Sequence, residues 1–410
     1  KLISYRVPRN LLVLIDVIAL LLLFAYSTDE LDKFTLITGI VLIFIIYVSN
    51  FILLKISSGD HYIFLIVTML LKLGIIMIYR LNPKLGARQV VWVSGGILIF
   101  FISYIIVKSF KKWDRLTLFY GLGSVILFLF TLVFGKTIGG ARNWIKIGSF
   151  GFQPSEIIKI AFIFFIASFY TNEKKFDKNG KSGYRLLISV YVFIGFLFLQ
   201  KDLGGALLFY LIFLVIQYVY EKDRKLILYN ILLASIGAIV SYFIFDHVKI
   251  RVETWIDPWR YVDNKGYQIT QSLFAIANGG FFGTGIGLGH PDFIPEVHTD
   301  FIFPAICEEM GIFTGIAIMM LFLILVYRGF KIALSQSDKF FRIVAFGISV
   351  MFGFQTFIIF GGVIKMIPLT GITVPFISYG GSSIISSFIA LGILQVASEE
   401  LPMEEVEEHE

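Results

Sequence analysis

The sequence predicts an all-α polytopic membrane protein of about twelve transmembrane helices with one large extracellular loop. Composition is the first reason: of 410 residues, 57% are hydrophobic, 17% aromatic and only 16% charged, with a mean hydropathy of +0.84. Soluble globules do not have that balance. Spacing is the second reason. Apolar segments of about 20 residues recur along the chain, the length that crosses roughly 30 Å of hydrocarbon at 1.5 Å per residue. A membrane barrel would show short alternating segments instead, so the spans are read as helices. A single cysteine, Cys307, leaves no intrachain disulfide and no thiolate metal cluster.

The spans fall at about 10–27, 34–54, 61–80, 88–107, 116–135, 155–171, 184–200, 203–220, 226–245, 301–327, 340–361 and 380–398. The first run is longer than the apolar part of a signal peptide, and no small-residue cleavage site follows it; it reads as a retained helix. Twelve crossings put both termini on one side. Loops on that side carry 20 Lys and Arg against 13 on the other, which assigns the termini to the cytoplasm. The net charge of +6 then belongs to topology. No basic stripe interleaved with aromatics points to nucleic acid. Residues 1–60 form an N-terminal pair of helices, 61–398 a membrane core, and 399–410 an acidic tail.

This topology places the longest connection, 246–300, outside the cell. It is too long for a simple link, and Trp255, Pro258, Trp259 and Tyr261 give it material to pack. The apolar stretch at 267–278 predicts a re-entrant or surface-lying helix. Gly283, Gly285 and Gly287 are spaced like part of a nucleotide fingerprint, but no strand precedes them and no acidic ribose ligand follows. They are read as tight turns or close backbone approaches. The loop ends on His298-Thr299-Asp300 and enters an apolar segment that carries Glu308 and Glu309. Thr299 or Asp300 could cap the next helix. Asp300 could instead carry chemistry: a charge at the bilayer centre costs about 2.5–3.5 kcal/mol, and Asp300, at the mouth of a helix and facing a loop near water, sits where that cost is avoided and a reaction can occur.

Three further polar islands interrupt the apolar runs. Arg142-Asn143-Trp144 precedes Gln153-Pro154-Ser155-Glu156, where Pro154 suits a first helical turn and Gln153 or Ser155 could cap it. Glu156 and Lys159 are three apart on one helical face and can pair inside the bundle. Lys201-Asp202 marks a short outside turn. Residues 365–383, with Pro368, Pro375, Gly371, Gly380 and Gly381, describe a non-helical segment at membrane depth that must be buried or line a cavity. Hydroxyls such as Ser378 and Ser382 could there meet a lipid-linked head group.

The order and spacing of Gly140-Ala141-Arg142-Asn143-Trp144, Gln153-Pro154-Ser155-Glu156 with Lys159, Asp202-Leu203-Gly204, Gly266-Tyr267-Gln268, His298-Thr299-Asp300-Phe301, Glu308-Glu309-Met310-Gly311 and Pro368 to Ser383 resemble the SEDS family of the RodA, FtsW and SpoVE type, over about 61–398. The resemblance implies a ten-helix core preceded by two added helices. It also implies a peptidoglycan glycosyltransferase that polymerises lipid II at the outer face of the bacterial cytoplasmic membrane, in cell shape, division or sporulation. Its partner would be a class B penicillin-binding protein, and no organic cofactor is implied. The family's essential acid falls on Asp300 and its charged pair on Glu156 and Lys159. Many members have an Asn shortly after the match to Gln355, where Ile358, Ile359 and Phe360 stand here.

The implied reaction needs a carboxylate to take the proton from an attacking sugar hydroxyl, a role that falls to Asp300, and a single displacement inverts the anomeric centre. The departing polyprenyl pyrophosphate needs positive charge: Arg142, Lys159, Arg251 and Arg260 are candidates, with Lys159 foremost. Mg²⁺ or Mn²⁺ held by one carboxylate and waters would serve the same end. Trp144, His298, Ser378 and Ser382 are further candidate substrate contacts. A lipid II flippase, with Glu156 and Lys159 in its path, is the alternative function, and a non-catalytic scaffold is a third. The islands gather on one predicted side, whereas alternating access needs gates on both.

Overall fold

The computed structural model describes residues 33–148, 150–177 and 181–399, with Asn10, Leu11, Leu14 and Ile18. The expected span at 10–27 and the acidic tail beyond Glu399 lie outside the described residues. The helices are α1 (Lys33–Ile56), α2 (His61–Leu81), α3 (Pro83–Ser109), α4 (Thr117–Phe134), α5 (Pro154–Thr171), α6 (Ser182–Leu199), α7 (Leu203–Tyr220), α8 (Arg224–Ile244), α9 (Asp246–Ile256), α10 (Tyr267–Gly279), α11 (Ile302–Ser335), α12 (Lys339–Val363) and α13 (Gly381–Ala397). Among the described residues, ten helices are long and apolar enough to cross a membrane, and α13 is a shorter apolar helix. The expected spans from 34 onward each correspond to a helix, most within two residues, although α3 begins five residues before 88 and α11 runs eight residues past 327.

Polar caps end the apolar runs where helices must stop. Asp60 accepts from the Tyr62 amide to open α2, and Asn82 accepts from the Lys84 and Leu85 amides to open α3 ahead of Pro83. Asp202, Asp223 and Asp338 do the same for α7, α8 and α12. Two expected caps are absent. Phe301 occupies the cap position of α11 and Gln153 that of α5, neither with a side-chain bond to the helix, so the capping roles offered to Thr299, Asp300, Gln153 and Ser155 are not used.

Helices α5 and α12 form the centre, with 83% and 78% of their most apolar windows buried, whereas α8 buries only 11% and stands at the periphery. At one end of the bundle Glu399 accepts from Ser57 Oγ (2.6 Å), Tyr104 OH (2.6 Å) and Lys108 Nζ (2.8 Å). Arg328 grips Asp60 there with two 2.8 Å bonds. The opposite end holds α9, α10, the loop up to Asp300 and the segment 364–380, so the polar islands do share one end.

A small antiparallel sheet also lies there, where the sequence shows a polar island and no strand was expected. Its order is β1 (Lys136–Ile138), β2 (Ala141–Ile147), β3 (Phe150–Phe152), with Thr137 opposite Arg142 and Lys146 opposite Gly151. Gly139 and Gly140, at φ 58° and 87°, make the tight hairpin turn between β1 and β2.

Helix α11 is broken at Gly311 (φ 82°, ψ 164°). The backbone groups freed there are met by the glycine-rich loop: Thr284 N donates to Glu308 O (2.9 Å), Gly285 N to Glu309 O (3.0 Å) and Ile312 N to Gly280 O (3.0 Å). A methyl on Gly311 would lie 2.3 Å from the Phe281 carbonyl oxygen. Gly311→Ala therefore meets both a forbidden dihedral and a clash, and we expect it to destabilise the protein by about 2 kcal/mol or more. An unchanged thermal unfolding temperature in detergent would contradict this account of the break.

Candidate active site

Asp300 sits at the end of a loop whose backbone is stitched to the non-helical segment before α13. Tyr379 N donates to His298 O (2.8 Å), and Ser378 Oγ donates to Thr299 O (2.7 Å) while accepting from Val374 N (2.9 Å). Gln89 Nε2 secures the same segment through Ser378 O at 3.1 Å. The Ser378 hydroxyl, expected to face substrate, is thus engaged in holding two loops together. Asp300 itself is half-buried. Burial pushes its carboxyl up to about 6, with the charge of Arg251 opposing that rise and Glu296 adding to it.

Arg251, on α9, donates from Nη1 to the Thr370 carbonyl oxygen (2.8 Å). A methyl placed on Gly371 would lie 3.2 Å from Arg251 Nη2 and 3.4 Å from Asp300 Oδ2. One small residue therefore lies against both charged groups, and its φ of 74° suits glycine. Burial lowers the Arg251 pKa, and the carboxylates of Asp300 and Asp202 act against that; a guanidinium stays charged throughout.

Beside this pair runs a groove of about 1000 Å³ between α6, α7 and α8. Its walls are apolar, including Val192, Leu207, Ala234 and Val240, and Arg251 and Thr370 are among its lining residues. Methyls added at Gly195 and Gly237, which line it, would touch nothing within 4 Å. The space is open because α8 stands away from the core.

Deeper in the bundle, Lys159 Nζ donates to Glu156 Oε1 (3.2 Å) and Oε2 (3.1 Å) and to Gln355 Oε1 (3.1 Å). Ser386 Oγ donates to Glu156 Oε2 at 2.5 Å. Glu156 and Lys159 are both buried, and an ammonium has three protons to give. Lys159 is therefore saturated by protein. Of the four candidate cations, Arg251 is the one among the lining residues of the groove.

The other candidates separate in the same way. The Arg142 guanidinium donates to the Gly135 (3.0 Å) and Val133 (2.9 Å) carbonyls and closes the end of α4. Arg260 is exposed beside the Tyr261 ring. Trp144 is half-buried against Gly151, and Ser382 is buried at the start of α13. His298 lies 3.9 Å from Glu296 and edge-on to Tyr379.

Sequence reasoning undervalued Asp202, set aside as part of a polar turn. It accepts from Asn143 Nδ2 (2.8 Å), Gln153 Nε2 (3.4 Å) and Gly205 N (2.9 Å), joining the sheet, α5 and α7 beneath the site. Gln355 and Ser386 were missed as partners of the ion pair; their signal was a pair of adjacent polar side chains, Gln355-Thr356 and Ser386-Ser387, within an apolar helix. No three His, Cys, Asp or Glu side chains converge among the described residues, so a divalent cation would need substrate oxygens and water for most of its shell.

Fold and site together define a polytopic membrane protein whose ionisable centre opens beside a lipid-sized apolar groove. A family model described as a cell cycle protein of the FtsW, RodA and SpoVE type matches residues 60–402, and the chain belongs to that family. It is 37% identical over 354 residues to a peptidoglycan glycosyltransferase RodA of Mycobacterium bovis, covering 80% of this chain and 76% of that one. The crystal structure of Thermus thermophilus rod shape determining protein RodA superposes with a TM-score of 0.62 at 26% identity, covering 83% of this chain and 97% of that one. A chain of a peptidoglycan synthase complex that coordinates polymerization and crosslinking shares the fold, at TM-score 0.68 and 24% identity, with the same coverage.

Proposed function

We propose that this protein is a peptidoglycan glycosyltransferase that polymerises lipid II at the outer face of the bacterial cytoplasmic membrane, both termini being cytoplasmic. The observation that carries the reading is the placement of Asp300 and Arg251 beside the apolar groove. A polyprenyl chain lies in the groove, its pyrophosphate meets Arg251, and the sugar reaches Asp300. A carboxyl held at about 6 is ionised at neutral pH yet basic enough to take a proton in the transition state. The 4-hydroxyl proton passes to Asp300 as its oxygen bonds to the anomeric carbon. The bond from that carbon to the pyrophosphate oxygen breaks, and the electron pair leaves with the pyrophosphate, whose negative charge Arg251 offsets.

A hard divalent ion, Mg²⁺ or Mn²⁺, held chiefly by pyrophosphate oxygens and water, would add further charge neutralisation and leave Asp300 free to act as the base. The crosslinking named for the peptidoglycan synthase complex of similar fold supports a crosslinking partner, which the family resemblance makes a class B penicillin-binding protein.

The test is strand synthesis from purified lipid II by the purified protein, alone and with its class B partner, with Mg²⁺ and Mn²⁺ supplied or chelated. Glycan strands are expected; their absence under every condition, with lipid II crossing liposomes, would replace the enzyme by a flippase. Gly237→Phe should fill the groove without a backbone clash. We expect it to lower kcat/KM about tenfold or more for long-chain lipid II, and much less for a short-chain analogue. Equal losses on both substrates would remove the groove from the proposal.

A further inference from the structure

We infer that Gln355 is a positioning residue for the reaction, tying the buried Glu156–Lys159 pair to the segment that seats Arg251 beside Asp300. The inference rests on the glycosyl-transfer reading above. Gln355 is 1% exposed and uses both ends of its amide: Oε1 accepts from Lys159 Nζ (3.1 Å), and Nε2 donates to the Thr373 carbonyl oxygen (2.9 Å). Residues 368–374 form neither helix nor strand, so tethers rather than a backbone ladder decide where they lie. On the inner side the tethers are Gln355 to Thr373 and Thr373 Oγ1 to Ser383 Oγ (2.9 Å). On the outer side Arg251 holds Thr370 O, and Ser378 holds Thr299 O.

Gly371 lies between those two sides, against both Arg251 and Asp300. A shift of the segment at Thr373 therefore moves the carbonyl that aims Arg251. The charges facing Asp300 are Arg251 from α9 and Glu296 from its own loop, with His298 two residues before it; Asp202, at the start of α7, also faces Arg251. Of these, Arg251 alone holds the Asp300 carboxyl down. Loosening Arg251 lets that carboxyl rise further, which marks a positioning effect apart from a loss of fold.

The experiment compares Gln355→Glu and Gln355→Leu with wild type in lipid II polymerisation alongside the class B partner, from pH 5 to 8. Gln355→Glu keeps an acceptor for Lys159 and removes the donor to Thr373. Both variants are expected to lose about tenfold or more in kcat with KM within about twofold. The acid limb of kcat/KM, expected near pH 6 in wild type, should move to higher pH in both. Hydrogen exchange in peptides covering 370–379 should be faster in Gln355→Glu, whether or not strands are made. Wild-type kcat and limb in Gln355→Glu would overturn the inference, as would unchanged exchange in 370–379. Loss of activity in Gln355→Leu alone, with an unmoved limb, would also overturn it, leaving Gln355 as a structural partner of Lys159. A wild-type protein that makes no strands would instead defeat the proposed function, and the exchange result would still decide the tether.

Discussion

Asp300→Asn is expected to reduce glycan synthesis by at least about 100-fold, the low end of what a positioned general base contributes. The variant should still insert and fold. The folded carboxyl titrates at about 6, above the roughly 3.9 of an unfolded aspartate, so the folded state holds its proton more tightly. Its contribution to stability is complete below the unfolded value and is lost as pH rises through about 6. At pH 7.5 the ionised group opposes folding, and the neutral amide removes that opposition. The variant should therefore unfold no earlier than wild type while making no strands. Wild-type kcat/KM, for its part, should climb as pH passes through about 6. Near-normal turnover in Asp300→Asn, or a flat rate from pH 5 to 7.5, would sink the base assignment.

Lys159→Leu should act in the opposite sense, on stability first. It leaves Glu156 buried with Ser386 as its remaining hydrogen-bond partner. An uncompensated buried charge of this kind is worth about 3–5 kcal/mol, so we expect a large fall in thermal unfolding temperature. Replacing both members, Glu156→Leu with Lys159→Leu, removes the unpaired charge and should recover much of that stability, because buried pairs exchange with apolar side chains at little net loss. Activity should not return, since Gln355 then has no cation to hold. Full activity in the double variant would show that the pair has no part in placing the site.

Most of the bundle was legible along the chain, because lipid imposes one length and one periodicity on every span. Pro83, Asn82, Asp202 and Asp338 even mark where spans begin. The three-stranded sheet was not legible: β1 and β3 are three residues each, too short for alternation to show, and the hairpin glycines also suit a loop. The break at Gly311 was hidden inside a run that reads as continuous helix. Its cause is the distant pairing of 280–285 with 308–313.

The site divides along the same line. Charge in an apolar setting drew attention to Asp300, Glu156 and Lys159, the family resemblance is what gave them roles, and Arg251 could be named only as one of four candidate cations. Which cation is placed to meet the leaving group in the proposed reaction depends on what each one touches. Lys159 is consumed by Glu156 and Gln355, Arg142 by carbonyls at the end of α4, and Arg251 alone of the four lines the groove. Membership of the bundle, its polar end and its candidate charges are properties of local composition, and the sequence alone determined them. The pairing of those charges depends on contacts between residues as far apart as Arg251 and Thr370, or Lys159 and Gln355, and only tertiary packing brings such residues together.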